Sequence, residues 1–192
     1  MGKRSFNIPN LLSLSRILLA PFVMVLLLYT RVGRGIPFLR TLGLDLTYSD
    51  LAAALVFIVA ALTDTADGYI ARKKGLITNL GKFIDPLSDK VLVMAALIAL
   101  LELHRLSGWM VMVIVARDFM VSGLRMVAAA EGQVIAASKL GKMKTVFQII
   151  AIIMMILKLP LAIWVMYVSI ALTVWSGLVY VANGWDLITD AD

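Results

Sequence analysis

Cysteine is absent from the 192-residue chain, which excludes disulfides and thiolate zinc sites. Histidine is nearly absent: the single one, His104, stands beside Arg105 in a short polar break and reads as a solvated side chain rather than a metal ligand. Charge is scarce as well, with 16% Asp, Glu, Lys and Arg against 61% hydrophobic residues and a mean hydropathy of +0.95. Ordinary soluble domains are only ~45–50% apolar, so a soluble globular class is excluded. No repeat, low-complexity tract or long linker divides the chain, and residues 1–192 read as a single domain. The net charge of +6 does not indicate nucleic acid, because the cations cluster beside apolar segments instead of forming an aromatic-interleaved basic face. Anionic lipid headgroups and phosphorylated substrates suit that arrangement better.

What the chain has in abundance is apolar segments. About 20 mostly apolar residues cross a bilayer, and the candidates are Leu11–Tyr29, Asp50–Ile70, Pro86–Leu103, Trp109–Ala130, Lys144–Leu157 and Leu161–Ala182. The expected fold is all-α: a polytopic membrane protein, a bundle of about six transmembrane helices. Lys3 and Arg4 imitate the start of a signal peptide, but no small-x-small cleavage site follows Tyr29, so a retained helix is expected. Trp109, Trp164, Trp175 and Trp185 lie mostly near segment ends, as interfacial anchors do. Lys3, Arg4, Arg72, Lys73, Lys74, Lys82, Lys139, Lys142 and Lys144 share one side if the amino terminus and the second and fourth loops face the cytoplasm. Arg31, Arg34, Arg40, Arg105 and Lys158 fall on the other.

Into this apolar background the stretch DTADGYIARKKGLITNLGKFIDPLSDK, Asp64 to Lys90, sets four aspartates at the junction of two apolar segments. A carboxylate at the centre of a membrane helix costs roughly 2.5–3.5 kcal/mol, so four close together call for a compensating cation. Helical spacing puts Asp64, Asp67, Gly68, Ala71 and Arg72 on one stripe, and Asp85 and Asp89 on another, with Pro86 expected in the first turn of the third span. Two helices entering from one side would present two carboxylates each to a common polar cleft on the cytoplasmic side. All-oxygen ligands select hard cations, magnesium or manganese. Gly68, Ala71 and Gly81 leave room for a nucleotide diphosphate, and Arg72 offers a bidentate contact to phosphate. The plain alternative pairs Asp64 and Asp67 with Arg72 and Lys73 at a solvated helix end.

The spacing D-x-x-D-G-x-x-A-R, eight residues, then G-x-x-x-D-x-x-x-D is filled without a gap and resembles the hallmark of the CDP-alcohol phosphotransferase family. The resemblance implies a six-span fold, a cytoplasm-facing site and a homodimer. It also implies two divalent ions on Asp64, Asp67, Asp85 and Asp89, a CDP pocket lined by Gly68, Arg72 and Gly81, and Asp89 as general base. Direct in-line transfer to an alcohol, with loss of CMP, is favoured over a phosphatidyl-aspartate, since acids committed to metals are poor nucleophiles.

Other charges bear on the acceptor alcohol. Arg117 and Arg125 within the fourth segment, and Lys139, Lys142 and Lys144 after it, form a basic set that suits a phosphorylated acceptor. Their alternatives are the positive-inside bias for the lysines, snorkelling for Arg125, and for Arg117 a pair with Asp118, although neighbours in sequence do not face each other on a helix. Asn10, Ser13 and Arg16 recur at helical intervals and either face the nucleotide cleft or cap and anchor the first span. NIPNLLSLSRILLAPF and ARDFMVSGLRMVAAAEGQVIAASKLGKMKT resemble the bacterial phosphatidylglycerophosphate synthase branch of the family. That likeness implies a bacterial cytoplasmic-membrane enzyme that moves the phosphatidyl group of CDP-diacylglycerol to sn-glycerol 3-phosphate, giving phosphatidylglycerol phosphate. The rivals are phosphatidylinositol phosphate synthase within the family, an aromatic prenyltransferase, and, outside enzymes, a divalent-cation transport protein.

Overall fold

Each apolar segment forms one helix. In the computed structural model the described residues, 8–29, 36, 45–74, 79–130 and 139–183, hold six helices and no strand. These are α1 (Ile8–Leu28), α2 (Tyr48–Lys74), α3 (Asn79–Glu102), α4 (Gly108–Ala130), α5 (Lys139–Ile156) and α6 (Ala162–Asn183). Side chains of residues 8, 9, 64–74, 79–83, 85, 86, 89, 130, 139 and 183 lie outside the described part.

Two helices start earlier than the apolar pattern predicts. α3 begins at Asn79, so Pro86 sits inside the helix instead of in its first turn. The helical backbone continues through it, at the loss of one i→i−4 hydrogen bond, a defect that a membrane bundle can re-satisfy locally. α5 begins at Lys139, so Lys139, Lys142 and Lys144 stand on a helix and not in the loop after α4.

The helices are turned inside out relative to those of a soluble protein. On α1 the polar Asn10, Ser13 and Arg16 are buried together with Ala20, Val23 and Leu27, while Leu11, Leu18 (69% exposed), Phe22 and Val25 face outward. On α6 Ser169, Thr173 and Ser176 are fully buried, and Trp164, Val168, Trp175 and Leu178 are exposed. In water this pattern would forfeit the hydrophobic effect on every helix; against lipid it satisfies both faces. α1 over Asn10–Leu28 and α6 over Ala162–Ala182 are each long and apolar enough to cross a bilayer. Alanines at 53, 54, 60, 95, 96 and 99 fill the buried faces of α2 and α3, the small-residue packing by which helices associate in lipid.

The chain forms two compact units. The first runs to Arg105 and adds Ile153–Leu159; in it α1 packs along both α3 and α2. Met24, Leu28 and Tyr29 from the end of α1 and Ile98, Glu102 and Leu103 from the end of α3 line one groove, so these two helices run parallel. The second unit, Leu106–Ile152 with the chain from Pro160 onward, is built on α4 against α6.

At the amino end of α2 the first unit is pinned by charge. Thr47 and Asp50 form a reciprocal cap: the Thr47 N–H and hydroxyl donate to Asp50 Oδ2 at 3.0 and 2.8 Å, and the Asp50 N–H donates to Thr47 Oγ1 at 3.2 Å. Arg105 Nη2 reaches Asp50 Oδ1 at 3.1 Å, and Lys158 Nζ reaches Oδ2 at 2.8 Å. The chain delivers both cations through matching helix ends. His104 N–H bonds Leu101 O and Arg105 N–H bonds Leu100 O; Lys158 N–H bonds Met155 O and Leu159 N–H bonds Met154 O. His104 (φ 55°) and Lys158 (φ 50°) take the left-handed conformation such ends usually give to glycine.

Candidate active site

The motif aspartates occupy one end of a helical hairpin. Asp64, Asp67, Gly68, Ala71 and Arg72 lie in the last three turns of α2, Gly81, Asp85 and Asp89 in the first three of α3, and residues 75–78 join the two helices. The backbone is continuous α-helix through both sets. Residues 64, 67, 68, 71 and 72 therefore follow the i, i+3, i+4 rule on α2, and 81, 85 and 89 on α3. The side chains of all eight lie outside the described residues. As a donor set the four are carboxylates only, which fits a hard divalent cation and not a soft or thiophilic one.

Next to this end lies the polar stripe of α1. Asn10, Ser13 and Arg16 are 4%, 1% and 1% exposed, and Arg16 Nη2 donates to Ser13 Oγ at 3.1 Å. Because α1 and α3 end at a shared groove and each rises about 1.5 Å per residue, these three stand near the level of residues 82–90. The same count places Asp50 and its ion pairs about 25 Å along α2 from Asp67, at the opposite end of the hairpin. The first unit thus carries buried polar groups at its aspartate end and a closed ionic knot at the other. The stripe is turned into the packed interior of the unit and not toward its outer face.

The second unit holds a different charged cluster. Lys144, 3% exposed on α5, donates to Asp118 Oδ1 at 2.6 Å, and Arg117 Nη1 reaches the same oxygen at 3.2 Å. Adjacent residues on a helix diverge, yet Arg117 pairs with Asp118, because the arginine chain is long enough to fold back over one turn. Arg117 Nη2 donates to Ser176 Oγ at 2.9 Å, and Ser176 Oγ donates in turn to Thr173 O at 3.1 Å. Arg125 Nη2 donates to Tyr180 Oη at 2.7 Å. Both guanidinium carbons lie beside the Tyr180 ring, 5.6 Å from its centroid for Arg117 and 5.4 Å for Arg125. Arg117 Nε is buried with no hydrogen-bond partner among the described residues.

Of the basic set anticipated from sequence, Arg117, Arg125 and Lys144 are thus gathered around Asp118 and Tyr180. Lys142, exposed and two residues from Lys144, belongs to another face of α5, and the Lys139 side chain is outside the described residues. Among the described residues the cluster joins Arg117, Arg125 and Lys144 with one carboxylate, Asp118, a basic setting that suits an anionic group such as a phosphate monoester. Sequence reasoning missed Ser176 and Tyr180. The available signal was weak: hydroxyl-bearing residues at 169, 173, 176 and 180, each three or four apart in an otherwise apolar helix.

Comparison with known proteins agrees with this chemistry. The profile of the family described as CDP-alcohol phosphatidyltransferase matches residues 6–175. A Bacillus subtilis protein named CDP-diacylglycerol–glycerol-3-phosphate 3-phosphatidyltransferase is 42% identical over 95% of this chain and 97% of its own length. Proteins of the same name from Shigella flexneri and Escherichia coli are 39% and 38% identical, each over 92% of this chain and 94% of theirs. With the aspartate motif complete on two consecutive helices and the match running nearly end to end, this chain belongs to the CDP-alcohol phosphatidyltransferase family.

Proposed function

We propose that the protein transfers the phosphatidyl group of CDP-diacylglycerol to sn-glycerol 3-phosphate, forming phosphatidylglycerol phosphate and releasing CMP. The observation that favours a phosphorylated acceptor is the gathering of Arg117, Arg125 and Lys144 around Asp118 and Tyr180. The near full-length relatives named for this reaction support the same reading.

In this reading the first unit handles the donor. Asp64, Asp67, Asp85 and Asp89 hold two divalent ions, magnesium or manganese, which when bound offset charge on the pyrophosphate and on the departing CMP. Arg72 grips a phosphate oxygen, Gly68, Ala71 and Gly81 let the CDP group lie against the helix backbones, and Asn10 and Ser13 hydrogen-bond it from α1. The acceptor's phosphate falls to Arg117, Arg125 and Lys144, with Lys139 and Lys142 drawing the dianion in. Asp89 takes the proton of the attacking hydroxyl as its oxygen bonds to the phosphatidyl phosphorus and the bond to the CMP oxygen breaks. All six helices span a bacterial cytoplasmic membrane, the aspartate end facing the cytoplasm, and the enzyme works as a single-domain homodimer.

Purified protein given CDP-diacylglycerol, magnesium and one acceptor at a time tests the proposal by CMP release. Glycerol 3-phosphate is expected to support turnover, and inositol 1-phosphate and serine are not. Release with inositol phosphate alone would refute the acceptor assignment while leaving the family chemistry standing. Asp89→Asn is expected to lower turnover at least about 100-fold, the usual size of a lost general base.

A further inference from the structure

We propose that α6, a helix without a single charged residue, sets acceptor affinity: Ser176, Gly177 and Tyr180 are positioning residues that hold the two α4 arginines ready for the acceptor's phosphate. The inference rests on the acceptor site proposed above and adds to it the element that orders it. Each of the three residues makes a distinct contact. Ser176 takes the Arg117 Nη2 hydrogen bond and is itself anchored to Thr173 O, so its oxygen lone pairs point outward to the guanidinium. Gly177 supplies clearance: a Cβ there would lie 3.1 Å from Arg117 Cγ, closer than ordinary van der Waals contact, so a side chain at 177 would make the arginine stem give by a few tenths of an ångström. Tyr180, 4% exposed, offers its ring to both guanidinium groups and its hydroxyl to Arg125.

The spacing explains why one helix face does all this. Residues 173, 176, 177 and 180 recur at three- and four-residue steps and form one stripe on α6, opposite Arg117 and Arg125, which are eight apart on α4. An arginine ordered only when ligand arrives weakens binding by the freedom it loses; one already seated does not. Two like charges drawn to a single buried ring also repel each other, a repulsion that the Asp118 carboxylate on Arg117 relieves in part and an anionic ligand would relieve further, so the seat favours a doubly charged ligand over a neutral one. Neither effect involves the donor. α6 should therefore control the acceptor's KM and leave that of CDP-diacylglycerol alone.

The test measures initial CMP release against both substrate concentrations for the full chain and for Arg117→Ala, Gly177→Val, Tyr180→Phe and Tyr180→Leu, each checked for its melting temperature. Tyr180→Leu is expected to raise the KM for glycerol 3-phosphate about tenfold, because it loses both the hydrogen bond to Arg125 and the ring beside the two guanidinium groups. Tyr180→Phe keeps the ring and is expected to raise it about threefold, with kcat and the donor KM within about twofold of the parent for both variants. Gly177→Val, which pushes Arg117 off its seat, should act in the same direction. If Arg117→Ala raises the acceptor KM and neither Gly177→Val nor the Tyr180 variants do, the positioning role is wrong and the acceptor site stands. If Arg117→Ala leaves the acceptor KM unchanged, the acceptor site is wrong and the positioning role falls with it. Equal rises in both KM values, or a fall in kcat alone, would mark these residues as merely structural and also overturn the proposal. Should Tyr180→Leu fail to fold, Tyr180→Phe decides alone.

Discussion

Asp50 and Asp118 each hold two cations in a protein with few charges to spare, and their surroundings differ. Asp50 divides the load between its oxygens, Arg105 on one and Lys158 on the other, while Thr47 caps it from the backbone. Its partners make further bonds to the backbone: Arg105 Nη1 donates to Met155 O and Ile156 O at the end of α5, and Lys158 Nζ donates to Asp45 O. Asp118 instead receives Lys144 and Arg117 on a single oxygen, with Arg125 close by and with Arg117 Nε buried and without a hydrogen-bond partner among the described residues. Similar residue types therefore make an ionic pin in one unit and an arginine-lined seat in the other. A cluster whose donors go to a helix cap and to backbone carbonyls ties chain ends together, whereas one whose guanidinium groups lie along a tyrosine ring gathers cations on one helix face.

Removing each acid or cation separates the two roles. Asp50→Ala strands two partly buried cations and is expected to cost about 3 kcal/mol of stability, seen as a lower melting temperature in detergent, with the KM for glycerol 3-phosphate unchanged. Arg117→Ala should do the reverse: a rise of about 10- to 100-fold in the acceptor KM, from the loss of charge-assisted hydrogen bonds, and little change in melting temperature. If both substitutions lower stability and neither moves the acceptor KM, the two clusters are alike and the distinction fails.

Asp118→Asn lies between these extremes. It is expected to destabilise by about 2 kcal/mol, because Lys144 loses its buried counter-ion, yet to tighten competitive inhibition by inorganic phosphate about threefold at low salt, because one negative charge leaves the seat. Weaker phosphate inhibition would show that Asp118 orients the cations more than it opposes the ligand. The smallest effect is expected at the pin. His104→Gly relieves the left-handed backbone of a non-glycine residue and should stabilise by about 0.5–1 kcal/mol without touching kinetics.

The aspartate motif was the most legible feature, since its spacing alone reveals helical stripes and a hard-metal donor set. Helix number and rough bounds were also readable, because spanning length leaves little choice for an apolar chain. The starts of α3 and α5 were misjudged where polar residues continue a helix past the apolar run: Pro86 looked like a first-turn residue, and Lys139 and Lys142 looked like a loop. For Asn10, Ser13 and Arg16 the three-residue spacing showed one face but not its surroundings, and only the packing of α1 along α2 and α3 buries them. Arg117 and Asp118 were set apart by a rule about backbone direction that a long flexible side chain evades.

By itself the sequence determined the membrane setting, the helices, the carboxylate stripes and the basic character of the second half, all properties local to one helix or summed over the chain. Tertiary structure alone decided which partners the charged side chains meet. Asp50 meets Arg105 across 55 positions, Arg125 meets Tyr180 across 55, and Lys144 meets Asp118 across 26. Helical periodicity fixes the face a residue occupies on its own helix but carries no information about which face of another helix will lie against it.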